Sequence, residues 1–296
     1  MATAAAFAIT ERLKLVKSPI YGTVISSPVF SPTCRCRFST VSVTLEFRRR
    51  DDVTVTVLAG QRVVRTLALG LPMPRGRSVF RWDGKTDLGT RAPDGVYRVQ
   101  VHLAAQHRTI LLPNTIRIDT APPKVLAATP NRAQISPDGD RIGDTVTIHY
   151  ELDTPAHVLV YLQGRRIIHG RSSRPRGGVV WAGRLGGGPL KPGVVTLTVG
   201  AVDLAGNVTP AAERQRVRIE IRYIRLASRR ITGVVSGGIL AIGVSTDARL
   251  YGWRLGARHG VKAGPLLRLR APTTPGTYHL TVTEHGHSDT ATVSVK

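Results

Sequence analysis

Two stretches of the chain align without a gap at an offset of 105 residues: Phe30–Phe47, FSPTCRCRFSTVSVTLEF, and Ile135–Leu152, ISPDGDRIGDTVTIHYEL. Ser31-Pro32 matches Ser136-Pro137, and Thr40-Val41 matches Thr145-Val146. Each copy then alternates, with Val41, Val43, Leu45 and Phe47 standing against Val146, Ile148, Tyr150 and Leu152. Alternation at period two turns one face of a strand to a core and the other to water, whereas a helix needs apolar residues three or four apart. A repeat of about 100 residues is too long for a solenoid, whose periods run about 20–50 residues, so the copies read as whole domains.

The likeness continues down the chain. VTVTVLAGQRVV (Val53–Val64) and VLVYLQGRRII (Val158–Ile168) each read as strand, glycine turn, strand. Trp82-Asp83-Gly84 faces Trp181-Ala182-Gly183, and Pro93-Asp94-Gly95-Val96-Tyr97 faces Lys191-Pro192-Gly193-Val194-Val195. A third, more divergent unit fills the remainder. Thr274-Pro275-Gly276-Thr277-Tyr278 opens its strand YHLTVTE, and HGHSD turns into TATVSV as a closing hairpin. The expected fold is all-β: three tandem immunoglobulin-like β-sandwiches over 20–119, 120–222 and 223–296. The two prolines of Asp119-Thr120-Ala121-Pro122-Pro123 predict an extended, semi-rigid linker. Arg216–Leu226, RVRIEIRYIRL, alternates with neither Gly nor Pro and predicts a stiff joint.

Tyr97 stands just after a tight turn at the start of a late strand, the place of a tyrosine corner, and Tyr278 fits the same place in the third unit; Val195 breaks the pattern in the second. RWDGKTDLGTRAPDGVYRVQV (Arg81–Val101) resembles the signature of the immunoglobulin-like domain of flagellar hook-capping (FlgD-type) proteins and secreted subtilases (Vpr-type). The residues that carry the likeness are Trp82, Asp83, Gly84, Pro93, Asp94, Gly95 and Tyr97, echoed by Trp181 and Gly193 and, at fold level, by Gly276 and Tyr278. ISPDGDRIGDTVTIHYEL is similar to the family's opening strand, and VDLAGNVTP (Val202–Pro210) to a turn common in bacterial surface immunoglobulin-like repeats. The second unit departs at Ala182, where the family has Asp, and carries Gly186-Gly187-Gly188 in place of a D-x-G turn. The resemblance implies scaffolding, spacing or adhesion outside the cell, with no catalytic residues. Hook capping also needs an N-terminal assembly region, which the sequence does not show.

The formal charge of +23, carried by 42 Lys and Arg against 19 Asp and Glu, invites a nucleic-acid reading. The charge is spread along all three units, however, and stacking aromatics are few, at 5%. Attraction to anionic wall polymer or membrane surface fits such a distribution better. Ala2–Ile9 is too short to span a bilayer, yet Ala6-Phe7-Ala8 has the small-x-small pattern of a cleavage site. Residues 1–19 are therefore read as the remnant of a signal peptide or membrane anchor.

The chemical candidates are few. Asp138, Asp140 and Asp144 cluster oxygens that could hold calcium, but the loop offers no closing glutamate, and Asx-turns before a strand account for them first. Glu284, His285, His287 and Asp289 offer imidazole and carboxylate for zinc, at what reads as an exposed hairpin tip. Ser236 in GVVSGG is not a nucleophile elbow, and Gly186-Gly187-Gly188 lacks the Lys-Ser/Thr of a phosphate loop. Trp82 and Trp181 read as equivalent core or edge residues; Trp253 is a candidate sugar platform. Two thiols, Cys34 and Cys36, cannot complete a four-ligand zinc site. In an oxidising location they either bridge locally or pair with another chain. The expectation is a secreted or envelope protein that is not an enzyme, with no cofactor. Its partners would be another envelope protein or an anionic wall polymer.

Overall fold

The computed structural model describes residues 17–296. The expected leader or anchor remnant falls almost wholly outside the described residues. The chain is all-β, built as immunoglobulin-like sandwiches in tandem. Its contacts divide it into two compact units, one running to Pro122 and taking in Val202–Val208, the other holding Pro123–Ala201 and Thr209–Lys296.

In the first unit Ile20–Ile25, Val41–Phe47 and Gly76–Trp82 form one sheet in that order. The second sheet runs Val29–Phe30, Arg108–Ile118, Gly95–Leu103, Asp51–Ala59, Arg62–Met73. Val29–Phe30 lies parallel to Arg108–Ile118, and the other pairings are antiparallel. The alternation does its work directly: Val41, Val43, Leu45, Phe47, Val53, Val55, Val57, Val99 and Val101 are all fully buried between the two sheets. Each such side chain contributes on the order of 1.5–3 kcal/mol by leaving water.

The second unit holds two sandwiches of the same strand order. One pairs the sheet Arg176–Trp181, Val146–Leu152, Val125–Pro130 with the sheet Gln134–Ile135, Gln215–Ile221, Gly193–Val202, His157–Leu162, Arg165–His169. The other pairs Arg225–Leu226, Ile239–Ser245, Leu266–Arg270 with Arg230–Val234, His287–Val295, Gly276–Glu284, Tyr251–Leu255, Arg258–Lys262. Each has its own hydrophobic core. The divergent third sandwich thus keeps the topology of the others, including a short strand laid parallel to the last long one. His157–Leu162 departs from alternation toward full burial: Val158 to Leu162 are all buried, and the Arg214 guanidinium lies over the Tyr161 ring, 3.7 Å from its centroid.

Between these two sandwiches the chain passes from Gln215–Ile221 to Arg225–Leu226 through Arg222, Tyr223 and Ile224. Tyr223 is buried in one core and Ile224 in the next, so the connection has no exposed linker. The Tyr223 ring also stacks on His287 at 3.6 Å between centroids, and the Leu226 amide donates to Asp289 Oδ2 at 2.9 Å.

Candidate functional site

The family-like residues serve as braces. Val41 pairs with Trp82, and Val146 with Trp181, so each repeat sets its Trp opposite the start of the same strand. Both indoles are buried, and each donates Nε1–H to a carbonyl three residues on, Lys85 O at 2.8 Å and Arg184 O at 3.2 Å. Gly84 and Gly183 follow because a Cβ there would run into the ring of Pro32 or Pro137. The two Ser-Pro pairs of the repeat therefore pack beneath the two Trp-x-Gly turns. Asp83 accepts from the Lys85 amide at 3.0 Å, a contact that Ala182 cannot make.

Gly95, Gly193 and Gly276 open the same strand in the three sandwiches, with φ of +157°, +140° and +153° that side-chain-bearing residues rarely adopt. The Tyr97 hydroxyl donates to Pro93 O at 2.5 Å, and the Tyr278 hydroxyl to Thr274 O at 2.9 Å. Burial, and then the charge of Asp94, raises the Tyr97 phenol above its ordinary pKa, which keeps it a donor. In the second sandwich, where Val195 has no hydroxyl, Tyr223 reaches back to Leu190 O at 2.7 Å. The Asp94 carboxylate accepts from the Thr120 amide and hydroxyl, both at 2.9 Å.

Cys34 and Cys36 form a local disulfide. Its sulfurs lie against Gly206, where a Cβ would stand 2.5 Å from Cys36 Sγ. That turn is held by Asp203, whose carboxylate accepts from the amide and the side chain of Asn207, both at 2.8 Å, while Asn207 Nδ2 also donates to Asp119 O at 2.9 Å. Burial raises the Asp203 pKa above the ordinary carboxylate value against the pull of those hydrogen bonds.

The equivalent loop of the second sandwich carries carboxylates instead. Asp144 accepts from the amides of Gly139 and Arg141, both at 2.8 Å, and so shapes the loop. Asp138 Oδ1 accepts from the Asp140 amide, and Asp140 Oδ1 from the Ile142 amide. Asp144 is turned to the backbone, and the structure does not bring it together with the other two as a calcium trio. Asp138 and Asp140 instead meet Glu284 and His285, with one ligand atom from each of the four lying within 4.8 Å of all the others.

The zinc candidates separate in a corresponding way. Asp289 is taken by the Leu226 amide and His287 by the Tyr223 ring. The tip itself is exposed at His285, Gly286 and Ser288, but Glu284 at its base is packed, its side chain 1% exposed, as is that of Asp138. Thr246 donates to Glu284 Oε2, while Glu284 Oε1 and Asp138 Oδ2 accept from no N–H or hydroxyl donor. His285 Nδ1, half exposed, stands 3.7 Å from Asp138 Oδ2 and 3.9 Å from Glu284 Oε1. Glu284 has its pKa pushed up to about 7, first by burial and also by its direct side-chain contact with Asp138 and the charges of Asp138 and Asp247, against the pull of the Thr246 hydrogen bond. Asp247 is raised too, by burial and then by Asp138 and Asp140.

Glu284 and Asp247 were not connected to the DGDRIGD loop from sequence, because both belong to a different repeat. The usable signal is the repeat itself. In both units this loop meets a turn between the last two long strands of a sandwich, Asp203–Asn207 in one and Glu284–Gly286 in the other.

Residues 37–106 match the FlgD Ig-like domain family. No curated protein matches the sequence. Among solved structures the chain is similar to the I-band fragment I67–I69 from titin, at 11% identity over 95% of this chain and 99% of that one, with a TM-score of 0.32. It is also similar to extracellular domains 3–5 of Drosophila OTK, at 10% identity over 95% and 98%, TM-score 0.23. A third similar structure is the three N-terminal domains of the bacteriophage RB49 Highly Immunogenic Outer Capsid protein, at 11% identity over 94% and 98%, TM-score 0.31.

Proposed function

We propose that this chain is a non-catalytic stack of immunoglobulin-like domains at the cell envelope or outside the cell, spacing or presenting another part of an assembly. The observation that carries the reading is the joint at Arg222–Ile224, a three-residue connection in which Tyr223 and Ile224 are buried in successive cores. A short connection anchored in both cores transmits position, which a spacer requires and a pair of independent binding modules does not. The Cys34–Cys36 disulfide supports an oxidising location.

Cell fractionation with protease treatment of intact cells tests the location. Accessibility to added protease is the expected result. A protein that stays protected in the cytosol defeats the reading.

A second reading is a module for wall polymer or another anionic glycan. Trp253 is partly exposed and lies across Gly260 of the neighbouring strand, in a groove of about 460 Å³ shared with Arg254, His259 and Thr281. Co-sedimentation with cell walls through a salt series separates the two. Binding that vanishes with salt is charge alone. Saturable binding that survives salt and is lost in Trp253→Ala favours the module.

A further inference from the structure

Four of the chain's 19 acidic residues, Asp138, Asp140, Asp247 and Glu284, gather around one point of the second unit. The chain has 42 Lys and Arg, yet among the described residues none of them pairs with Asp138 or Glu284, whose only ionic neighbour is His285. Buried carboxylates without a counter-charge are costly, and proteins resolve them by pairing, protonation or metal ligation. Two oxygens here are left open, Asp138 Oδ2 and Glu284 Oε1, both on side chains 99% buried and both facing the same space as Asp140 and His285 Nδ1.

We propose that Asp138, Asp140 and Glu284, with His285 at the rim, bind a hard divalent cation of the calcium class that ties the last hairpin of the chain to the opening loop of the preceding sandwich. Calcium takes oxygen ligands at about 2.3–2.6 Å, so donors on one coordination shell lie within roughly 5 Å of one another, as these four do. Three of the four donors are carboxylates, which suit calcium, magnesium or manganese better than zinc. Asp144 holds the loop through the Gly139 and Arg141 amides, and Thr246 holds Glu284, so the ligands are positioned in advance. The glutamate missing from the loop itself is supplied by the next sandwich. In the first unit the equivalent loop is closed covalently by Cys34 and Cys36. A cation would complete the second loop without a covalent bond. The inference does not depend on the chain being a spacer or on its location.

The test uses the full chain, stripped with chelator and titrated with CaCl2 at pH 7.5 by calorimetry and thermal melting, with NaCl-matched controls. Saturable one-to-one binding is expected. Extracellular calcium modules bind at roughly 10⁻⁴–10⁻³ M, so 10 mM calcium should raise the melting temperature by about 3–10 °C. Glu284→Gln and Asp138→Asn should abolish the response. Both should melt, metal-free, at or above the parent temperature, since each removes a buried like charge. The proposal is overturned if the parent shows neither heat nor shift beyond matched NaCl. It is equally overturned if both variants respond as the parent does, or if zinc shifts the melt and calcium does not.

Discussion

Tyr97 closes a corner through one hydroxyl, and that contact can be removed without touching the ring. Tyr97→Phe should cost about 1 kcal/mol, the net value of one hydrogen bond, and lower the melting temperature of the first sandwich by about 4–8 °C. Tyr278→Phe should cost less, because that hydroxyl is exposed and water replaces its partner. Equal losses in urea titrations of the two variants would contradict this ranking. Gly206 carries a different prediction. Gly206→Ala drives a methyl into the Cys34–Cys36 sulfurs and should destabilise by roughly 1–3 kcal/mol. Part of that loss should disappear when both cysteines are replaced by alanine, leaving the strain of a left-handed alanine at φ of about +89°. Additive losses in a double-mutant cycle would show that disulfide and turn do not press on one another. The Tyr97 corner was readable in the sequence because its acceptor lies four residues away. Tyr223 was not, because its acceptor lies 33 residues back on another strand. Glu284 was more distant still, and its burial depends on a loop of the preceding repeat.

At the level of elements, alternation identified the long strands because each has one face on a core. Alternation was absent at His157–Leu162, which reads as a strand from its apolar run and the glycine turn after it; Val158 to Leu162 are all buried, with Arg214 lying over the Tyr161 ring. Short strands such as Val29–Phe30 and Gln134–Ile135 had no periodicity to show, since two residues cannot alternate. The joint at Tyr223 is the element whose loss should spread furthest. Its ring fills one core and stacks on His287 of the next sandwich, and its hydroxyl braces Leu190. Tyr223→Ala should therefore cost about 3–5 kcal/mol, the range for emptying an aromatic site. It should also split melting of the second unit into two calorimetric transitions, because the two sandwiches then lose their shared side chain. Tyr223→Phe keeps the ring and should keep a single transition. Two transitions in Tyr223→Phe, or one in Tyr223→Ala, would mean that the coupling runs elsewhere.

Over the whole molecule, charge is the dominant long-range quantity. A formal +23 on 296 residues leaves most Arg side chains without acidic partners, and the ion pairs among the described residues are largely exposed. Exposed pairs contribute little, so like-charge repulsion outweighs them in the folded state. Added salt should then stabilise the protein. Raising NaCl from 10 to 300 mM shortens the screening length from about 30 Å to below 8 Å and removes most repulsion between distant arginines. The melting temperature should rise by a few degrees and level off near 0.2–0.3 M, where screening reaches the spacing of neighbouring charges. A melt followed through that series by circular dichroism checks the sign. A fall with salt would mean that the sparse ion pairs, and not the surplus of arginine, govern stability. The same series sets the baseline for calcium, since an ion bound between Asp138 and Glu284 should stabilise the second unit beyond any amount of NaCl.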